Sequence, residues 1–158
     1  MKILLIIDLQ SEFINENTQD LVRKINDLRH SGEYDKIIFT RFINSTNSPV
    51  YKMGWHGCMD EASCRICLEM GKSIVLDKNT YTAYNDELIA CLGGCDVSEI
   101  YMCGLDIDCC VMMTAINLFE NGYNVFVLKD FVGCMQGEKF KNAALDILKR
   151  NIGRVRVI

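Results

Sequence analysis

Residues 99–128 read EIYMCGLDIDCCVMMTAINLFENGYNVFVL, and this stretch decides the fold. Glu99 to Cys103 is a short apolar run closed by Gly104, which predicts a strand. Cys110 to Asn121 carries Val111, Met112, Ala115, Leu118 and Phe119 at helical spacing and stops at Gly122, which predicts a helix. Asn124 to Leu128 predicts the following strand. A helix between two such strands is the repeating unit of a parallel α/β sheet.

The same alternation extends outward in both directions. Ile3 to Ile7 is an unbroken Ile/Leu run ended by Asp8, the pattern of a strand buried on both faces. Leu21, Val22, Ile25 and Leu28 predict a helix over 18–29, with Asn17 or Thr18 as its N-cap and His30-Ser31-Gly32 as its end. Lys36 to Phe42 predicts a second strand, and Ser73 to Leu76 a third that ends at Asp77-Lys78. Between them, residues 44–57 form the longest irregular stretch and hold the only proline, Pro49; a long loop inside a compact domain points to function. Glu87 to Cys91 predicts a helix terminated by Gly93-Gly94, Lys139 to Arg150 another helix, and Val155 to Ile158 a last strand. The expectation is one domain over 1–158, a three-layer α/β/α arrangement around a mostly parallel, Rossmann-like sheet of about six strands.

Composition narrows the function classes. The chain has 158 residues, 17 Lys plus Arg and 21 Asp plus Glu, a formal charge of −4, and no basic run. That balance argues against nucleic acid and anionic membrane as partners and leaves a small-molecule substrate. No stretch approaches the ~18 apolar residues of a membrane span, and the opening run is shorter than the ~7 residues of a signal-peptide core, so a cytoplasmic location is expected. Nine cysteines cannot all pair with one another, and in a reducing compartment most act as small core residues.

One cysteine is set apart by position. In open α/β sheets, ligands bind outside the carboxyl ends of the strands. Asp8 follows the first strand, Lys78 the third, and Asp108-Cys109-Cys110 the fourth, so an acid, an amine and a thiol are expected at one sheet edge. A thiol attacks as thiolate, and both a helix start and a nearby ammonium favour that anion. Asp8 is placed to take the thiol proton and return it to a leaving amine, and the glycine turn and helix start offer amides for an oxyanion hole.

These residues resemble the isochorismatase-like cysteine hydrolases, which include nicotinamidases and N-carbamoyl amidases, and the resemblance runs over essentially the whole chain. Leu4-Leu5-Ile6-Ile7-Asp8-Leu9-Gln10, followed by Phe13, is similar to the family's first strand with its Asp-x-Gln. Asp77-Lys78-Asn79-Thr80-Tyr81-Thr82-Ala83-Tyr84 resembles its lysine motif, and Cys103-Gly104-Leu105-Asp106-Ile107-Asp108-Cys109-Cys110-Val111 its cysteine motif. Asp108 aligns with the motif's Asp, which places the nucleophile at Cys110 rather than Cys109. Thr114-Ala115, Gly122 and a strand ending at Asp130 also fit. The resemblance implies a triad of Asp8 as general base and acid, Lys78 as electrostatic support and Cys110 as nucleophile. It also implies a cis peptide at Leu105-Asp106, with the amides of Asp106 and Cys110 facing the oxyanion, and a homo-oligomer.

The chain departs from the family at informative places. Position 106 is usually Ala, and a carboxylate there opposes an oxyanion unless it is turned away or paired. Nicotinamidases carry an Asp-x-His pair and a later His for a metal; Thr40-Arg41-Phe42-Ile43-Asn44 has neither, and His56 stands alone, so no metal and no cofactor are expected. Cys64-x-x-Cys67, with Cys58 nearby, invites a zinc or redox reading, but Met59 to Met70 predicts a helix with both thiols packed on one face. Trp55 either lines the pocket mouth or packs the long loop down, and Tyr81 is either pocket wall or core. The reading is a cysteine hydrolase cleaving an amide or carbamoyl C–N bond. The rivals are an isochorismate-type vinyl-ether hydrolase, which lacks the nucleophilic cysteine, and a non-catalytic binding or regulatory member.

Overall fold

The computed structural model describes residues 1–93 and 99–158. Five parallel strands, β1 (Lys2–Ile7), β2 (Lys36–Phe42), β3 (Ile74–Lys78), β4 (Glu99–Gly104) and β5 (Val125–Val132), form one sheet in the order β3-β2-β1-β4-β5. The chain winds outward through β2 and β3, then crosses back to add β4 and β5 on the other side of β1. That reversal leaves a crevice between the carboxyl ends of β1 and β4, where such sheets bind ligands.

β1 explains why its sequence is an unbroken apolar run. Ile3, Leu5 and Ile7 join one core and Leu4 and Ile6 the other, all fully buried. Side chains alternate across a strand, so a central strand covered on both faces needs both sets apolar. On the first face lie α4 (Asp86–Leu92), α5 (Met112–Glu120) and α6 (Glu138–Ile152), through Leu88, Ala115, Leu118, Leu145 and Leu148. On the second lies α1 (Asp20–Arg29), through Leu21 and Ile25. The three-layer α/β/α expectation therefore holds. α4 is capped at both ends, by the Asn85 side chain on Leu88 N and by Gly93 in the left-handed conformation; Gly94, the other expected terminator, lies outside the described residues. Among the described residues no helix is long and apolar enough to cross a membrane.

Several expectations need correcting. The last strand is a 3-10 turn over Arg154–Arg156, and only Val157 bridges β5, at Val127. Val155 is exposed because the turn, not the sheet, takes up the local amides, so the sheet has five strands rather than about six. Helix α1 begins at Asp20 without a side-chain cap. Thr18 Oγ1 instead accepts from Asn15 N and donates to Phe13 O, closing the preceding turn. The Met59 to Met70 helix shrinks to one turn, α3 (Glu61–Cys64), opened by an Asp60–Ser63 capping box. Beyond it Arg65 turns extended and the chain runs antiparallel beside the residues after β1, with Cys67 N donating to Leu9 O. Backbone pairing there outweighs a weak helical propensity. Cys64 Sγ donates to Cys58 O at 3.1 Å, whereas Cys67 Sγ lies 3.8 Å from Ser11 Oγ, so the two thiols do not share a face.

The turn after β4 needs glycine. Gly104 has φ +112°, and a Cβ there would collide with the carbonyl oxygen of Ile7 across the β1–β4 crevice. Gly104→Ala is expected to cost about 3 kcal/mol or more of stability in a urea titration, since the left-handed backbone and the clash add.

Candidate active site

Asp8 leaves β1 in a left-handed conformation, φ +43°, and is fully buried. Aspartate is among the few residues that tolerate this backbone. Thr40 of β2 fixes it: its hydroxyl accepts from Asp8 N at 3.1 Å and donates to Asp8 Oδ1 at 2.6 Å. Gln10, also buried, locks the turn to β2 by donating to Phe42 O and accepting from Phe42 N. Asp8 Oδ2 is left with no aligned hydrogen-bond donor among the described residues. It rests in ion-pair contact with Lys78 Nζ at 2.6 Å.

Lys78 ends β3 with its ammonium buried. Nζ donates to Thr80 O at 2.9 Å, to Tyr81 O at 3.1 Å and to Cys110 Sγ at 3.6 Å. Burial works against this charge, but Asp8 and Cys110 outweigh it, and the Lys78 pKa is raised. The ammonium therefore touches both the acid and the thiol.

Cys110 is buried in a wide turn over Ile107–Val111 that leads into α5. The Asp106 carbonyl holds that turn by accepting from both Cys109 N and Val111 N. Thr114 Oγ1 donates to Cys110 O at 2.7 Å and accepts from Ala83 N, tying the thiol's turn to the segment after Lys78. The expected acidic thiol is not what the geometry gives. Contact with Cys109, whose Sγ is 3.9 Å away, then burial and Asp8, push the Cys110 pKa well up against the opposing pull of Lys78.

The peptide between Leu105 and Asp106 is cis, as the resemblance implied. Asp106 lies at the cavity with Oδ1 accepting from Met135 N at 3.0 Å, so the carboxylate is partly paired. Burial first, with Asp108 and Asp8 adding to it, pushes its pKa up to about 7 against the Met135 hydrogen bond. The sign follows from linkage: a carboxyl with a raised folded-state pKa favours folding at low pH, and that contribution fades as pH rises from 3.8 through about 7. Asp106→Asn removes the fading, so its melting temperature relative to wild type is expected to climb between pH 5 and pH 8 on a thermal-shift series.

Cys110, Cys109 and Asp106 line a cavity of about 270 Å³. Phe13, Phe42 and Trp55 form an aromatic wall; Trp55 stacks on Phe13 at 5.9 Å and 6° and lies 5.9 Å from Phe42. Trp55 thus both lines the pocket and packs its loop down. That loop is held by Asn44, which donates to the carbonyls of Trp55 and Gly57, and by the single turn α2 (Pro49–Lys52) capped by Ser48. Tyr81 lies on the cavity wall, while Tyr84 packs edge-on to Tyr123 in the core. A larger, open hollow of about 720 Å³ borders the end of β3 but touches only Lys78 of the three central groups.

Of the sequence-predicted residues, Asp8, Lys78, Leu105 and Asp108 do not line this cavity; Asp8 and Lys78 connect to it through the contact of Lys78 with Cys110. Leu105 is buried in the core against Gly133, and Asp108 points outward, exposed. Conversely, Thr40, Phe42, Met135 and Gln136 belong to the site without having been singled out. The metal question has a chemical answer. Among the described residues no three His, Cys, Asp or Glu side chains converge on one point. Asn44 is engaged with backbone carbonyls and His56 stacks on Tyr51 at 4.3 Å. The donor set does not fit a metal ion, and no step below passes through one.

The family model described as an isochorismatase domain matches residues 2–156. The chain belongs to the isochorismatase-like hydrolase family. A curated relative, isochorismatase family protein 2A of Dictyostelium discoideum, is 32% identical over 72 residues, 44% of this chain and 36% of that protein. The aligned part thus spans little more than a third of that relative's length. Among solved structures, the pyrazinamidase of Pyrococcus horikoshii in complex with zinc superposes with a TM-score of 0.83 at 19% identity, covering 95% of each chain. The yeast nicotinamidase bound to the inhibitor nicotinaldehyde gives 0.80 at 16%, covering 96% of this chain and 97% of its own. An isochorismatase-like hydrolase from Alkaliphilus metalliredigens gives 0.77 at 16%, covering 95% and 91%. At these identities the superpositions establish the shared fold.

Proposed function

We propose that this chain is a cysteine amidohydrolase that cleaves the C–N bond of a small amide or carbamoyl compound through a covalent intermediate on Cys110. The observation that carries the reading is one ammonium, Lys78 Nζ, lying 2.6 Å from Asp8 Oδ2 and 3.6 Å from Cys110 Sγ, with Cys110 itself on the wall of the small cavity. Because the Cys109 contact and burial raise the Cys110 pKa, the thiol needs a base at the moment of attack. Asp8, buried and sharing the Lys78 ammonium with Cys110, is that base.

The steps balance as follows. Asp8 takes the thiol proton while Sγ bonds to the substrate carbonyl carbon, and the C=O pair moves onto oxygen. The resulting oxyanion faces the backbone amides of Asp106 and Cys110, in the role of an oxyanion hole. The Asp8 carboxylic acid then protonates the leaving nitrogen, the C–N bond breaks, and a thioester or thiocarbamate remains on Cys110. Water attacks that carbon, giving its proton to Asp8, and the C–S bond breaks with return of the proton to sulfur. Lys78 keeps its charge beside Asp8 and Sγ throughout, which offsets the anion at each stage.

The test is release of ammonia or amine from a panel of small amides, ureas and carbamoyl compounds, run beside isochorismate. Turnover of one nitrogen substrate that depends on Asp8 and Cys110 is the expected result. Turnover of isochorismate alone, or of nothing on the panel, would overturn the reading.

A further inference from the structure

Among the described residues, one formally charged side chain lines the cavity, and a carboxylate there opposes a developing oxyanion. Of the residues lining it, Asp106 is the only Asp, Glu, Lys, Arg or His. Its Oδ1 is held by Met135 N, and among the described residues Oδ2 has no hydrogen-bond donor and no Lys, Arg or His pairs with the group. The charges that act on it, Asp108 and Asp8, are both acids, and Lys78 is taken by Asp8. A largely buried carboxyl among acids, with no counter-ion of its own, is costly to keep ionised unless something supplies a positive charge. Its raised pKa reports that cost.

The rest of the wall is suited to such a charge. Phe13, Phe42, Trp55 and Tyr81 present aromatic surface to the same space. A cation is attracted to ring faces, tryptophan most of all, and gains more when water is excluded. One carboxylate opposite an aromatic wall is therefore a site for a small organic cation.

We propose that Asp106 is a specificity-determining residue, which selects amides carrying a cationic nitrogen close to the scissile carbonyl and holds that nitrogen between its carboxylate and the Trp55 wall. This rests on the amidohydrolase reading, and it adds a substrate class to it. It also gives the carboxyl beside the oxyanion position a use: the substrate's own cation neutralises it before charge develops on the carbonyl oxygen.

The test uses two ligands of one shape. Betaine amide, (trimethylammonio)acetamide, carries a permanent positive charge, and 3,3-dimethylbutanamide is its uncharged carbon isostere. Trp55 is the only tryptophan of the chain, so intrinsic fluorescence reads occupancy of the cavity without catalysis. On Cys110→Ala protein, the cation is expected to bind at least tenfold more tightly than the isostere. Asp106→Asn, which keeps an acceptor for Met135 N, is expected to weaken the cation tenfold or more and the isostere less than threefold. Equal affinity for both ligands, no binding of either, or a cation affinity unchanged in Asp106→Asn would overturn the proposal. The ligand comparison needs no change at position 106, so it stands even if that variant folds poorly. The two readings fail separately. Cation-selective binding without amide turnover in the wild type would overturn the hydrolase and keep the site; turnover of neutral amides without dependence on Asp106 would do the reverse.

Discussion

Cys110→Ala is expected to abolish turnover, by about a thousandfold or more, while the protein stays folded. The loss is large because the thiol forms the bond that divides the reaction into two easier steps, and no neighbour can replace it. Cys109 lies 3.9 Å away but belongs to a different position on the turn, and its own contacts do not include Lys78. The fold survives because removing one sulfur from a residue packed beside Ala115 and Val111 leaves a cavity worth only about 1 kcal/mol. The control is Cys109→Ala. Contact with Cys109 is the largest influence pushing the Cys110 pKa up, so its removal should make Cys110 alkylate faster with iodoacetamide at fixed pH. A Cys110→Ala protein with full turnover would contradict the mechanism.

Lys78→Met is expected to have the largest effect on stability, about 3–5 kcal/mol. Methionine fills much of the same space, so the cost is electrostatic. Asp8 is fully buried, and without Lys78 its Oδ2 faces no positive charge. The carbonyls of Thr80 and Tyr81 lose a donor as well. Stabilities of whole domains are about 5–15 kcal/mol, so this variant should approach the edge of folding. Asp8→Asn added to Lys78→Met removes the stranded charge and should restore a substantial part of the loss, with a coupling read from a double-mutant cycle in urea. Purely additive losses would argue against the ion pair. The pH dependence has a definite sign. A lysine whose folded pKa lies above its ordinary 10.5 contributes fully below 10.5, and that contribution is lost only as pH rises through the raised value. Wild-type protein should therefore lose more stability than the double variant above pH 10.5, and no such gap should open between pH 6 and pH 9.

How much of this was legible in the sequence depends on what each residue contributes. β1 was plain because a strand buried on both faces must be apolar throughout, and Ile3 to Ile7 is. Asp8, Lys78 and Cys110 were legible because polar groups directly after apolar runs fall at strand ends, and parallel strands collect their ends at one edge. The cavity wall was not legible. Phe13 and Phe42 are aromatic residues like any core residue, and only the approach of the 44–57 loop turns them toward a ligand. Met135 and Gln136 come from the segment after β5, far from Cys110 along the chain. Thr40 has the pattern of an ordinary strand residue, and its role depends on the left-handed turn at Asp8, which no periodicity reveals. Local pattern also misled where tertiary pairing won, as in the segment from Met59 to Met70 and the chain end at Val155 to Ile158. The raised pKa of Cys110 is not legible in the sequence either, because it rests on the Cys109 contact and on burial, which only the fold brings about.

In the proposed reaction Cys110 carries the acyl or carbamoyl group during turnover. Acid-quenched intact-mass spectrometry of wild-type protein mixed with a hydrolysed amide tests it most directly, followed by peptide mapping. The expected result is a mass increment equal to the acyl or carbamoyl group, located on Cys110 and absent from Cys110→Ala. Turnover with no adduct on any quench timescale, or an adduct on Cys109 that persists in Cys110→Ala, would contradict it.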